Sequence, residues 1–75
     1  MSFKIKPESA KKIIKRLAKN GFIFIYQKGS HRYYLKKKNG KQYLTSVQMH
    51  PRDLPIGTIR AIIRQSGLSR KEFYR

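Results

Sequence analysis

At Asn20-Gly21 the hydrophobic period of the chain changes from that of a helix to that of a strand, and this switch constrains the fold more than any other feature. Upstream, Ala10, Ile13, Ile14, Leu17 and Ala18 recur at helical spacing and form one apolar stripe. Ser9 is placed to cap that helix, because its hydroxyl can accept from an orphan amide of the first turn. Gly21 can take the left-handed conformation that closes it. Downstream, Phe22-Ile23-Phe24-Ile25-Tyr26 is β-branched and aromatic and reads as a strand. Gln27-Lys28-Gly29-Ser30 then turns the chain into a second strand, and Asn39-Gly40 is a strong hairpin signal leading to a third. Two successive hairpins predict a three-stranded antiparallel sheet.

Residues 48–57 contain two prolines and a glycine and read as a loop. Thr58 can cap a second helix whose Ile59, Ile62 and Ile63 face the core. Gly67 stops it, with Leu68 placed for the apolar contact that accompanies a Schellman end. Ser69-Arg70-Lys71-Glu72 matches a capping box and can open a last short turn carrying Phe73. Residues 1–8 read as a lead-in. The expected elements are helix 9–20, strands 22–27, 31–36 and 42–47, and helix 58–66. The fold class is α+β, with the α-β-β-β-α layout of a double-stranded-RNA-binding domain and both helices on one sheet face.

Seventy-five residues are expected to form a single domain, 1–75, with a thin core. Nineteen Lys and Arg face three acids, for a formal net charge of +16. Such a field gathers polyanions, although charge alone does not separate nucleic acid from an anionic membrane or an acidic protein. No apolar run approaches a membrane span and no signal-peptide core is visible, so a soluble cytoplasmic protein is expected, with no membrane partner. With only Glu8, Asp53 and Glu72 available, the paired carboxylates of two-metal nucleases and glycosidases are lacking. Two histidines and no cysteine make a poor metal site. Any catalysis is therefore expected to need no metal or other cofactor, with histidine as the proton carrier.

Lys28-Gly29-Ser30-His31-Arg32-Tyr33-Tyr34 is where such chemistry would lie. Histidine titrates near neutrality and can both give and take a proton. Lys28 and Arg32 suit phosphates, backbone amides at Gly29 and Ser30 can meet a developing oxyanion, and Tyr33 can stack a base. The residues alone leave two readings open: His31 as the acid–base group of a small ribonuclease, or as a surface histidine in a plain RNA-binding module. A DNA-binding or protein-binding accessory factor is a third class, but no helix shows a polar set suited to base edges. Each residue also has a bland role. Gly29 can simply turn the chain, Ser30 satisfy a turn amide, and both tyrosines pack. His50, held extended before Pro51, reads as structural, and Asp53 as a loop residue or the partner of a nearby Arg. The lysines of the first helix read as a solvated face. Period two puts His31 with Tyr33 and Leu35, and Tyr34 with Arg32 and Lys36. Leu35 draws the first set inward, while the cations beside Tyr34 argue that its face is wet, and periodicity does not decide.

Over residues 9 to 73 the sequence resembles the HicA toxins, the YcfA-like mRNA interferases. The resemblance rests on Ser9, on a short amphipathic helix ending in Asn20-Gly21-Phe22, and on Gln27-Lys28-Gly29-Ser30-His31. It continues through Leu54-Pro55-Ile56-Gly57-Thr58-Ile59-Arg60-Ala61-Ile62-Ile63-Arg64-Gln65-Ser66-Gly67-Leu68-Ser69. Gly-Ser-His alone is weak, but joined to the Gly-Thr helix start and the Gly-Leu-Ser helix end it is specific. Two departures stand out. Lys36-Lys37-Lys38-Asn39-Gly40 replaces the family's usual His-Pro-Asp-Gly-like hairpin, and Gln48-Met49-His50 replaces a shorter, valine-rich strand end.

The resemblance implies a type II toxin, an endoribonuclease that cleaves mRNA, inhibits translation and is silenced by a HicB-like antitoxin. It maps the catalytic histidine onto His31, with Lys28, Gly29, Ser30, Arg32 and Tyr33 as expected RNA contacts. The second proton-transfer role has no clear owner: His50, Tyr33 and water are candidates.

Overall fold

A computed structural model describes residues 3–75. The first helix, α1, runs from Ala10 to Lys19, and Ser9 caps it as expected, its hydroxyl accepting from Lys12 N at 3.3 Å. Ile13 and Leu17 have no exposed surface. Burying an aliphatic side chain of this size stabilises a fold by about 1.5–3 kcal/mol. Three strands follow: β1 (Ile23–Lys28), β2 (His31–Lys38) and β3 (Lys41–Gln48), in the antiparallel order β1-β2-β3. β1 keeps its expected length one residue further on, and β2 and β3 run two residues longer than expected, because both turns use only two residues. Asn39 and Gly40 both have positive φ, 51° and 77°, the pattern of a type I′ turn. Lys38 therefore pairs with Lys41, and Lys28 with His31.

The second helix, α2, spans Ile56–Ser66 and starts two residues before its expected beginning. Pro55 is its N-cap in extended geometry and no side chain caps it, so Thr58 lies inside the first turn rather than capping it. At its far end Gly67 has φ 71°. Ser66 Oγ donates to Ile63 O at 2.6 Å and accepts from Leu68 N at 3.2 Å, so a hydroxyl relays the bond that a Schellman end would make directly. A short α3 (Arg70–Tyr74) opens with the expected capping box and drives Phe73 into the core.

The helices cover one face of the sheet, where Tyr34, Thr45 and Val47 meet Ala10, Ile13, Leu17, Ile59, Ile62, Ile63 and Phe73. Thr45 Oγ1 donates to Gln65 Oε1 at 2.8 Å, tying β3 to α2. Tyr34 is only 4% exposed, so its face is the packed one and the sequence argument for a wet face is corrected. Its cationic neighbours sit at the margins and reach out over aromatic rings: Arg32 Cζ lies 5.4 Å from the Phe24 centroid, and Lys36 Nζ 5.9 Å from that of Phe22. Long basic stems can flank a core while keeping their charge in water.

Arg16, on the polar side of α1, holds Glu8. Its Nη2 lies 2.8 Å from Oε2 and its Nε 3.2 Å from Oε1, and Glu8 is 4% exposed. The guanidinium also lies 4.6 Å from the Tyr74 ring centroid. Among the described residues this is the only ion pair, so Asp53 pairs with no arginine.

The α3 cap carries a pH dependence. The backbone N–H of Ser69 donates to Glu72 Oε1 at 2.8 Å, and this bond, helped by the Ser69 side chain, holds the Glu72 carboxyl below its ordinary 4.5. A depressed carboxyl stabilises the fold above its unfolded value and loses that contribution as pH falls through the lowered one. Acid titration should therefore loosen α3 from about pH 4.5 downward, read as shifts in the Phe73 and Tyr74 amide resonances. Glu72→Ala should flatten this response. An unchanged acid transition in that variant would contradict the assignment.

Candidate active site on the open sheet face

The other sheet face carries no helix, and strand register writes its side chains as rows. Lys28, His31 and Gln48 form one row across β1, β2 and β3, and Tyr26, Tyr33 and Ser46 form the next. Directly opposed residues have Cβ atoms about 4.5–5.5 Å apart, so each row is a set of touching neighbours.

This arrangement depends on a bulge. β1 shifts register between Phe24 and Tyr26, leaving Ile25 without a cross-strand partner. In an unbroken strand, Ile23 and Tyr26 would point to opposite faces. The extra residue puts both on the open face. Tyr26 thereby stacks on Tyr33, with ring centroids 4.5 Å apart and planes 10° from parallel. Such a pair is worth about 0.5–1.5 kcal/mol beyond its buried area.

His31 is exposed at the first position of β2, directly across the turn from exposed Lys28. Gly29 has φ 60° while Ser30 does not have positive φ, the pattern of a type II′ turn, which needs glycine at its first central position. The turn is held from two sides. Gln27 Nε2 donates to Gly29 O at 2.9 Å, and Met49 N donates to Ser30 O at 2.6 Å. Among the described residues neither the Gly29 nor the Ser30 N–H donates to a backbone carbonyl. The turn thus uses its acceptors internally and leaves both donors without a backbone partner, next in sequence to His31 and Lys28.

The sheet divides the residues singled out from sequence. Lys28, His31 and Tyr33 share the open face, with the Gly29-Ser30 turn at its end. Arg32 points to the opposite face, where its Nε donates to Gln27 Oε1 at 3.1 Å, and so steadies the side chain that holds the turn. His50 lies past the end of β3, exposed, its Nδ1 accepting from Arg52 N at 3.1 Å, which orders its loop. Tyr26 and Gln48 were not singled out. An aromatic residue two positions before the Lys-Gly turn was a visible signal for the first, but its face required the bulge. Among the described residues no three His, Asp or Glu side chains group as metal ligands, and no helix is long and apolar enough to cross a membrane.

A family model described as "HicA toxin of bacterial toxin-antitoxin" matches residues 10–68. Comparison with curated proteins gives no match. The matched span contains α1, the whole sheet, α2 and the His31 turn.

Proposed function

The chain belongs to the HicA toxin family of bacterial toxin–antitoxin systems, and we propose that it is an endoribonuclease that cleaves mRNA, with His31 as a proton-transfer group. The observation that carries this reading is the row in which exposed His31 faces Lys28 beside two amides that have no backbone acceptor, with the tyrosine stack one row behind. A base takes the proton of the ribose 2′-hydroxyl, the oxygen attacks the adjacent phosphorus, and an acid protonates the departing 5′-oxygen. The products are a 2′,3′-cyclic phosphate and a 5′-hydroxyl. Lys28 and the Gly29 and Ser30 amides stabilise the negative phosphorane, an electrostatic role that benefits from fixed donors. Tyr33, extended by Tyr26, stacks a base next to the scissile phosphate. Arg32, on the opposite face, serves the site by bracing Gln27, whose side chain holds the turn.

No metal is required by this scheme. Glu8 is bound to Arg16 and Glu72 to its cap, which engages two of the three carboxylates away from His31. The test is cleavage of a defined RNA with and without a chelator, followed by end-group analysis. Chelator-resistant cleavage that stops when one 2′-deoxy nucleotide replaces the target ribose supports the reading. A protein that binds RNA and never cuts it is the RNA-binding module instead.

Binding should weaken steeply with salt. Each phosphate neutralised on a single strand contributes about −0.7 to the slope of log affinity against log salt. With about five contacts, a fourfold rise in salt lowers affinity by about a hundredfold. Titrations at several salt concentrations check this, and a flat dependence would point away from RNA. The toxin acts on mRNA in the cytoplasm, and its partner is a HicB-like antitoxin whose acidic surface covers Lys28 and His31.

A further inference from the structure

Beyond the tyrosine row, the open face continues into a third row that RNA chemistry does not use. Ile23 pairs with Leu35 and Leu35 with Leu44, so three aliphatic side chains lie side by side across all three strands. Ile23 is 63% exposed and Leu44 50%. Lys37, opposite Gln42, follows in the next row. On β2 the aliphatic row sits four residues from His31, about 13 Å along the strand.

We propose that Ile23, Leu35 and Leu44 are the anchor on which the antitoxin docks, separate from the catalytic row that it covers. This rests on the reading above that the chain is a toxin held by an acidic partner. Aliphatic side chains offer a nucleotide neither hydrogen bonds nor a π face. A second copy of this chain would bring two +16 fields together, a strong repulsion. An acidic protein meets both demands of the face. Apolar residues cover the aliphatic row, and carboxylates reach Lys37 on one side and Lys28 on the other. The partner's apolar contact therefore lies about 7 Å from its carboxylate on Lys37 and about 13 Å from that on Lys28, the latter four residues of a strand or about nine of a helix. Buried apolar anchors inside a charged rim are where interfaces concentrate their energy.

The test is an Ile23→Thr/Leu44→Thr double variant, since threonine suits strands and both positions are exposed. Its affinity for the cognate antitoxin is expected to fall by at least about tenfold per residue replaced, while RNA cleavage stays within about twofold of the parent. Unchanged cleavage also certifies the fold. Parent-like antitoxin affinity in the variant would overturn the anchor. Equal loss of cleavage would move the row into the RNA site and overturn it too. Dimerisation of the free parent in sedimentation, abolished by the variant, would assign the row to a second copy. A parent that neither cuts RNA nor binds the antitoxin would instead overturn the functional reading itself.

Discussion

Replacing His31 with alanine is expected to lower RNA cleavage by about 10²–10⁴-fold, the usual worth of one positioned acid–base group. Affinity for RNA is expected to change little, because the cations that meet phosphate are untouched. Stability is expected to move by no more than about 0.5 kcal/mol, since the imidazole is exposed on the open face. Cleavage, affinity and melting measured on one preparation separate three outcomes. A catalytic His31 gives lost cleavage with retained binding and melting. A plain RNA-binding module gives no cleavage before or after the substitution. A histidine that holds the turn gives lost cleavage with a lower melting temperature. An alanine variant that cuts RNA as fast as its parent removes His31 from the chemistry.

The largest effect on stability is expected at Gly67. Its φ of 71° lies in the left-handed region, where a residue with a side chain costs about 1–2 kcal/mol. The Tyr43 ring leaves no room there either: an added Cβ would lie 2.7 Å from Cδ1 and 3.0 Å from Cζ. Tyr43 packs against the core, so the ring yields only by disturbing it. Overpacking of this kind costs about 1–3 kcal/mol. Gly67→Ala should therefore destabilise the domain by about 2–5 kcal/mol, against a total of about 4–11 kcal/mol for a chain of this length. In a small domain that lowers the melting temperature by about 10 °C or more. Gly40→Ala is the control for the backbone effect alone, since its φ of 77° lies in the same region and nothing lies within 4 Å of its added Cβ. Similar losses at the two positions would mean that the Tyr43 contact adds nothing.

The local elements were legible because short-range chemistry specifies them. The Ser9 cap, the Gly21 and Gly67 stops, the Asn39-Gly40 turn and the Ser69–Glu72 box each involve groups within a few residues of one another. The stripe of α1 and the two hairpins were enough to give the α-β-β-β-α order and an antiparallel sheet. His31 was legible as a candidate because the Gly-Ser-His turn is a contiguous string. The start of α2 was misread at Thr58, where a capping residue type was present but Pro55 had already set the extended geometry.

What the sequence left open concerns faces and distant partners, which depend on atoms far apart in the chain. Periodicity could not say whether Tyr34 or His31 faced inward. That was decided when the helices packed over Tyr34, Thr45 and Val47 and left Arg32 and Lys36 to reach around the margin. The Ile25 bulge turned Tyr26 and Lys28 onto the His31 face, because one extra residue reverses every side chain beyond it. Nothing local pairs Glu8 with Arg16: folding closed the N-terminal segment against Leu54 and buried the carboxylate against its cation. The aliphatic row of Ile23, Leu35 and Leu44 exists only in the paired sheet, since its members come from three strands and adjoin through register alone.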